Sequence, residues 1–221
     1  MEEILKMDKQ PNKTSLFRRY RDIINNGLFL FGVRNKLASI GLNFNPYYWV
    51  EEEVSFCEEP KIKDDVDKYL VEFLSVDEFK SLSILHSVDD REKMIKGFEK
   101  GQLCVGLKCD NEVAAYTFVE PNDFEYRGRA FKLKPNEVYL FNMWTFHKYR
   151  GRGLAPYLRW QTYRLLEEEG MDVKYSITNY FNKSSIKFKN KLNTVNHKLY
   201  LGIVLFKKFR WNFTLKHYKR I

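Results

Sequence analysis

Residues 147–158, HKYRGRGLAPYL, carry the sharpest chemical signal in the chain. Arg150, Gly151, Arg152 and Gly153 stand between an apolar, aromatic run and a segment with helical spacing. A helix start presents backbone N–H groups that lack intrahelical partners, together with a partial positive charge. Glycines there let a ligand approach the main chain closely. A strand, a glycine turn and a helix in that order make a corner suited to a pyrophosphate. Neither GxxxxGK[ST] nor GxGxxG occurs in the chain, so the other common phosphate cradles are excluded. The tetrad YRGR recurs at 126–129, but it leads there into alternating residues and a proline, which reads as an ordinary loop.

The elements that must hold this corner can be placed from periodicity. NEVYLFNMWTF (136–146) is a nearly continuous apolar run, as expected of a strand buried on both faces at the centre of a sheet. After the glycines, Leu154, Tyr157, Leu158, Thr162, Leu165 and Leu166 recur at helical spacing up to Gly170, and Pro156 fits the first turn of that helix. Upstream, KYLVEFLSV (68–76) predicts a strand, with Ser75 and Glu78 as a capping box opening a helix. A second helix is predicted over 89–101, then strands over 102–120 turning at Asp110 and Asn111, then a second hairpin or excursion over 121–136. The closing segment 197–220 predicts two strands joined near Lys207 and Lys208.

A chain of 221 residues is long enough to bury a core in one main domain. The net charge of +9 is concentrated at one end, because residues 172–221 hold twelve Lys or Arg and a single acid, Asp172. Such a basic lobe suits an anionic partner: a phosphorylated cofactor, an acidic carrier protein or nucleic acid. Phe209, Trp211, Phe213 and Tyr218 could stack on bases, although an antiparallel hairpin with inward aromatics and outward lysines is the simpler expectation. Residues 16–40 mix arginines with the apolar run Leu28–Phe31, which fits a packing element on the main domain or a membrane-surface contact. Cys57, Cys104 and Cys109 form no CxxC pair and read as reduced core residues, with neither a disulfide framework nor a metal site. No run approaches the length of a membrane span, and MEEILKMDKQ lacks the pattern of a signal peptide, so a cytoplasmic place is expected.

Arg150, Gly151, Arg152, Gly153, Leu154 and Ala155 together resemble the (R/Q)xxGx(G/A) acyl-CoA turn of the GNAT superfamily of N-acyltransferases. SITNYFNKSSIKFKNKLN (176–193) is similar to that family's next strand and helix, written NxxAxxLYxKxGF, with Asn182 and Ser185 on the first two positions, Phe188 on the Leu and Lys191 on the Lys. The chain departs from the pattern at Lys189, where the family often has Tyr, and at Asn193 and Thr194, where it has Gly-Phe.

The resemblance covers roughly residues 66–215 and implies an α/β fold of α+β mixed type. Its twisted, mostly antiparallel sheet would be flanked by helices and would contain a central splayed parallel strand pair near 138–146 and 173–178. Residues 1–50 would then be an N-terminal extension packing on the main domain, and 51–221 the acyl-CoA-binding domain. Acetyl-CoA or another acyl-CoA would lie in the wedge, paired with backbone near Met143 and Thr145. Its pyrophosphate would rest on Arg150–Ala155, with Asn182 and Ser185 near the pantetheine or acyl end. Glu137 and Lys189 are the candidate proton-transfer residues, Lys189 as an acid only if desolvation lowers its pKa. The implied activity is N-acyl transfer, most simply N-acetylation, to the primary amine of a small molecule by direct attack in a ternary complex. Two alternatives stay open: the same fold taking its acyl group from an acidic acyl carrier protein, and a basic nucleic-acid-binding module without enzymatic activity.

Overall fold

A computed structural model describes residues 33, 36–53, 55, 57–82, 88–206 and 208–218. The basic stretch 16–31 lies outside the described residues. From Leu42 onward the described residues form, in order, β1 (Leu42–Glu52), β2 (Tyr69–Phe73), α1 (Val76–Ser81), α2 (Val88–Glu99), β3 (Leu103–Cys109), β4 (Glu112–Glu120), β5 (Phe124–Tyr126), β6 (Arg129–Phe131), β7 (Glu137–Thr145), α3 (Leu154–Glu168), β8 (Val173–Asn179), α4 (Lys183–Asn190), β9 (Val195–Leu205) and β10 (Phe209–His217). Eight strands form one sheet in the order β10-β9-β1-β8-β7-β4-β3-β2, and β5 pairs with β6 alone. Within the large sheet only β7 and β8 run parallel. The mixed sheet with a central parallel pair is the one the sequence implied.

Local chemistry explains most of these elements. Ser75 caps α1 by accepting from the Glu78 N–H while the Glu78 carboxylate accepts from the Ser75 N–H, so two orphan donors are satisfied. Asp110 and Asn111 turn β3 into β4 with φ of 49° and 66°, a left-handed pair that these two residue types tolerate. Arg127 and Gly128, at φ 54° and 81°, do the same between β5 and β6. The second YRGR tetrad is therefore a two-residue hairpin turn rather than an irregular loop.

The sheet has two unlike faces. α3 crosses one of them, where Leu154, Leu158, Tyr163 and Leu166 meet Val138, Leu140, Val105 and Leu107. On the other face, α1 and α2 cover Tyr116 and Phe118 through Phe79 and Phe98 respectively, and the β5–β6 hairpin covers Trp49, Tyr139 and Tyr175. Trp49 stacks between Phe131 and Tyr175, both 4.6 Å away by ring centroid.

Three expectations need correction. β7 is not fully buried on both faces: Val138 and Leu140 are sealed under α3, whereas Tyr139 and Phe141 keep some exposure because their face borders a cavity. The aromatics of β10 do not turn inward, since Phe209, Trp211 and Phe213 are 51%, 43% and 47% exposed on an edge strand. The expected boundary between residues 50 and 51 falls inside β1, which inserts between β8 and β9 as a full member of the sheet.

Candidate active site

The parallel pairing of β7 with β8 runs from Glu137–Val173 to Leu140–Ser176 and stops there. Beyond it, β8 stays with β1 through Ile177, Thr178 and Asn179, while β7 stays with β4 through Phe141, Trp144 and Thr145. The cause sits in β7. Between the pairs Phe118–Phe141 and Tyr116–Trp144 this strand carries one extra residue, and Asn142 adopts φ 45°. A bulge of this kind bends its strand. Here it carries β7 away from β8 and opens the sheet at its middle. Met143 and Thr145 lie in the stretch that has left β8.

At the end of β7 one turn of 3-10 helix (His147–Tyr149) leads into the glycine corner. Gly151 and Gly153 have φ of 80° and 87°, a left-handed backbone that favours glycine, and Gly153 is the N-cap of α3. Among the described residues the N–H groups of Gly151, Arg152, Gly153, Leu154 and Ala155 donate to no protein acceptor. Those amides, at the start of a 15-residue helix, are the fit this corner offers to a pyrophosphate. A Cβ on Gly151 would meet nothing within 4 Å, so that side is open, whereas one on Gly153 would stand 3.0 Å from the Lys61 carbonyl oxygen.

The segment after β1 therefore covers one flank of the corner and leaves the other free. It is tied along α3 by Trp160 Nε1 donating to the Cys57 carbonyl at 3.3 Å and by Gln161 donating to Glu59 at 2.8 Å. At the corner itself, the Lys63 N–H donates to the Arg152 carbonyl at 2.9 Å.

The two arginines of the corner are already engaged. Arg152 bridges Asp64 at 3.0 Å and donates to the Lys148 carbonyl at 3.1 Å. Arg150 donates through Nε to the Thr145 carbonyl at 3.1 Å and lies over the Trp144 ring. Their side chains set the shape of the turn, and the free main-chain amides are left to meet an anion.

The other sequence-singled residues are scattered. Asn182 accepts from the Ser185 N–H at 3.0 Å, so this pair serves as the N-cap of α4. Glu137 sits at the closed end of the parallel pair and is held by the Lys134 N–H at 3.1 Å and the Lys134 ammonium at 3.6 Å. It does not line the cavity at the opening. Lys189 points inward to Ser176 and Glu52.

Sequence reasoning missed the cavity itself. It holds about 420 Å³ on the face away from α3 and is lined by Glu120, Tyr126, Tyr139, Phe141, Asn142 and Ile177, among others. Glu120 is only 8% exposed. Its carboxylate accepts from Gln102 at 2.6 Å and from the Asn122 N–H at 3.0 Å, and no described cation pairs with it. Its one sequence signal is an acid closing the mainly apolar run Val113–Val119 of β4. Burial pushes the phenol of Tyr139 above its usual range, so that ring enters the cavity as a neutral donor.

The family model described as acetyltransferase (GNAT) family matches residues 68–193, more than half of the chain. The chain belongs to the GNAT acetyltransferase family. That family is one of acetyltransferases, whose co-substrate is an acyl-CoA. Solved structures agree on the fold. A GCN5-related N-acetyltransferase-like protein from Streptococcus suis is 16% identical, with a TM-score of 0.50 over 81% of this chain and 67% of its own. An acetyltransferase of the family from Colwellia psychrerythraea is 10% identical, with a TM-score of 0.52 over 74% of this chain and 57% of its own. A glucosamine N-acetyltransferase region of a fungal multi-domain beta-N-acetylglucosaminidase is 11% identical, with a TM-score of 0.53 over 79% of this chain and 22% of that one. This chain thus spans little more than half of the Colwellia protein and less than a quarter of the fungal one. A comparison with curated proteins gives no match. The family match begins after β1 and ends before β9, so three strands of this sheet lie outside it.

Proposed function

We propose that this protein transfers an acyl group, in the simplest case acetyl, from acyl-CoA to the primary amine of a small molecule. The observation that carries this reading is Glu120: a buried carboxylate without a cationic partner among the described residues, facing an aromatic cavity where β7 and β8 part. A buried carboxylate strongly favours a cation beside it, and the rings of Tyr126, Tyr139 and Phe141 add faces on which an ammonium can rest. The acyl donor's diphosphate would be held by the amides of Gly151–Ala155, and its pantetheine arm by the freed backbone of β7 near Met143 and Thr145.

In this arrangement the protein works chiefly by position. Glu120 orients the incoming ammonium and takes one proton from it, freeing the neutral nitrogen that attacks the thioester carbonyl, and main-chain N–H groups at the bulge face the developing negative oxygen. The C–S bond then breaks with its electron pair on sulfur, and the second nitrogen proton balances the one that sulfur takes up as the free thiol. Glu120→Gln keeps the hydrogen-bonding shape but removes the charge. We expect it to lower kcat/KM for the amine about 100-fold or more, within the range of a lost general base, and to leave acyl-CoA affinity unchanged. Thiol release measured over a panel of amines tests this. No transfer to any amine by the wild-type chain, or equal activity in Glu120→Gln, would overturn it.

The reading in which an acidic carrier protein supplies the acyl group has one observation in its favour: β9 and β10 contain no Asp or Glu and carry Lys198, Arg210 and Lys216. Turnover with an acyl carrier would then fall steeply as salt rises from low to physiological levels, whereas turnover with acyl-CoA would change far less.

A further inference from the structure

The β10 edge of the sheet carries a surface that acyl transfer does not use. Of the ten large hydrophobic side chains exposed among the described residues, six gather around the β9–β10 hairpin: Ile40, Phe206, Phe209, Trp211, Phe213 and Leu215. The Phe206 N–H donates to the Gly41 carbonyl at 2.7 Å, which sets Ile40 beside the turn between the two strands. Register places Phe209, Trp211 and Phe213 opposite Leu205, Ile203 and Leu201 of β9, so all of these share the face turned away from Tyr200 and the β5–β6 hairpin. Along it the rings of Phe209 and Trp211 stack with centroids 6.0 Å apart. The result is an apolar strip on an edge strand, with aromatic rings outermost.

Edge strands in natural proteins are ordinarily blunted by charge or covered, and an apolar patch of this extent marks a place where something docks. The charge around the strip decides what. β9 and β10 contain no Asp or Glu, and residues 172–221 hold a single acid, Asp172. Lys208 and Lys216 bracket the strip, with ammonium groups 5.7 Å from the ring centroid of Phe209 and 4.6 Å from that of Tyr218. Lysines laid over rings, with Trp and Tyr at the rim of an apolar strip, match the boundary of a lipid bilayer, where rings enter among the headgroups and ammonium groups meet phosphates. A second copy of this chain would set these cations against their like, with no acid on either strand to pair them. An acidic carrier protein would answer the lysines and leave the apolar strip unmatched.

We infer that the outer face of β10, with Ile40 and Phe206 at its turn, docks on a membrane surface that carries anionic lipid. Phe209, Trp211 and Phe213 enter the headgroup region, and Lys208 and Lys216 stay level with the lipid phosphates. The contact is peripheral and reversible, because its strength comes from a few rings and two cations rather than from a spanning element. The cavity beside Glu120 opens on the other face of the sheet, next to the β5–β6 hairpin, so docking leaves it accessible. β9 and β10 follow the end of the family match at residue 193, so this surface is built from strands the family model does not contain. The inference is independent of the acyl-transfer reading.

The test uses the full chain and sedimenting vesicles of phosphatidylcholine, with or without about 30% phosphatidylserine, at physiological salt. Binding to the anionic vesicles is expected to be about tenfold or more tighter than to the neutral ones and to weaken as salt rises. The double variant Trp211→Thr, Phe213→Thr should lose about tenfold or more of that binding while keeping the wild-type circular dichroism. In wild type, brominated lipid should quench part of the tryptophan fluorescence, and Trp211→Phe should abolish that quenching while vesicle binding persists. This second readout assigns the insertion to Trp211 and needs no double variant to fold. Absence of binding to anionic vesicles overturns the inference, as does binding that the double variant leaves unchanged. A wild-type dimer that the double variant converts to monomer gives the face to a second copy and overturns it too. So does a Trp211 shielded from aqueous iodide before vesicles are added, because another part of the chain would then cover the strip.

Discussion

The ammonium of Lys189 on α4 lies 3.2 Å from the carboxylate of Glu52 at the end of β1, and both side chains are more than nine-tenths buried. The pair joins α4 to a strand laid down long before it in the chain, so it ties the N-terminal and C-terminal parts of the fold together. Burial pushes the Glu52 carboxyl up, but Arg159, Lys189 and the hydroxyls of Ser176 and Tyr163 outweigh it and hold the group at about 2.

Removing one member should therefore cost far more than a surface ion pair. Glu52→Ala leaves two buried cations without a counter-charge, and losses of about 3–5 kcal/mol are typical for breaking a buried pair in this way. Glu52→Gln should cost less, because it keeps the acceptor for Ser176 or Tyr163. Urea unfolding of the three proteins at neutral pH orders them, and equal midpoints would show that the cluster adds nothing to stability.

The same pair gives stability a pH signature with opposite senses at its two ends. Glu52 has a lowered folded pKa, so its contribution is present above its ordinary value near 4.5 and is lost as pH falls towards about 2. Lys189 also has a lowered folded pKa. The unfolded chain therefore holds that proton more tightly between about 8 and 10.5, and stability should rise with pH across that window. In Lys189→Met the alkaline rise should vanish while the acid loss remains. Unfolding midpoints taken from pH 3 to pH 10 check both limbs.

Much of this architecture was legible in the sequence, and the gaps have physical causes. Local rules were enough where the chain speaks locally: the Ser75–Glu78 box, the Asp110–Asn111 turn and the Gly151–Gly153 corner each fall where their residue types require. The place of β1 between β8 and β9 was not legible, because its partners come from the far end of the chain and no short-range pattern encodes such a pairing. Asn182 and Ser185 show how one spacing serves two masters, since a residue three before a free N–H makes a helix cap whatever else it does. Glu120 and Glu52 were invisible for the converse reason. Each is one acid among twenty-nine, distinguished only by being buried, and burial is a property of the assembled sheet.

The glycine corner offers a comparison within three residues. Gly151→Ala and Gly153→Ala both force a residue with a Cβ into a left-handed backbone, at about 1–2 kcal/mol each. Only at position 153 does the new Cβ also press on the Lys61 carbonyl, at 3.0 Å. Gly153→Ala should thus be the less stable variant and should displace the 61–64 segment. Both should weaken coenzyme A binding, because both move the free amides. Calorimetric binding together with thermal unfolding separates the effects, and equal stability of the two variants would show that the segment yields at no cost.

The β9–β10 hairpin provides the last contrast, between two faces of the same pair of strands. Tyr200 is 6% exposed, packs against Tyr47 and lies under the guanidinium of Arg129, so it anchors the β5–β6 hairpin beside the cavity proposed for the amine. Phe213 pairs with Leu201 on the opposite face and is 47% exposed. Truncating a buried aromatic costs about 3–5 kcal/mol, whereas a half-exposed one exchanged for a strand-forming threonine should cost about 1 kcal/mol. Tyr200→Ala is therefore expected to lower the unfolding midpoint sharply and, in the fraction still folded, to raise KM for the amine while sparing that for acyl-CoA. Phe213→Thr should change neither constant. The pattern turns on which face the hairpin covers, so a Phe213→Thr variant as damaged as Tyr200→Ala would mean that the outer face of β10 is covered in solution.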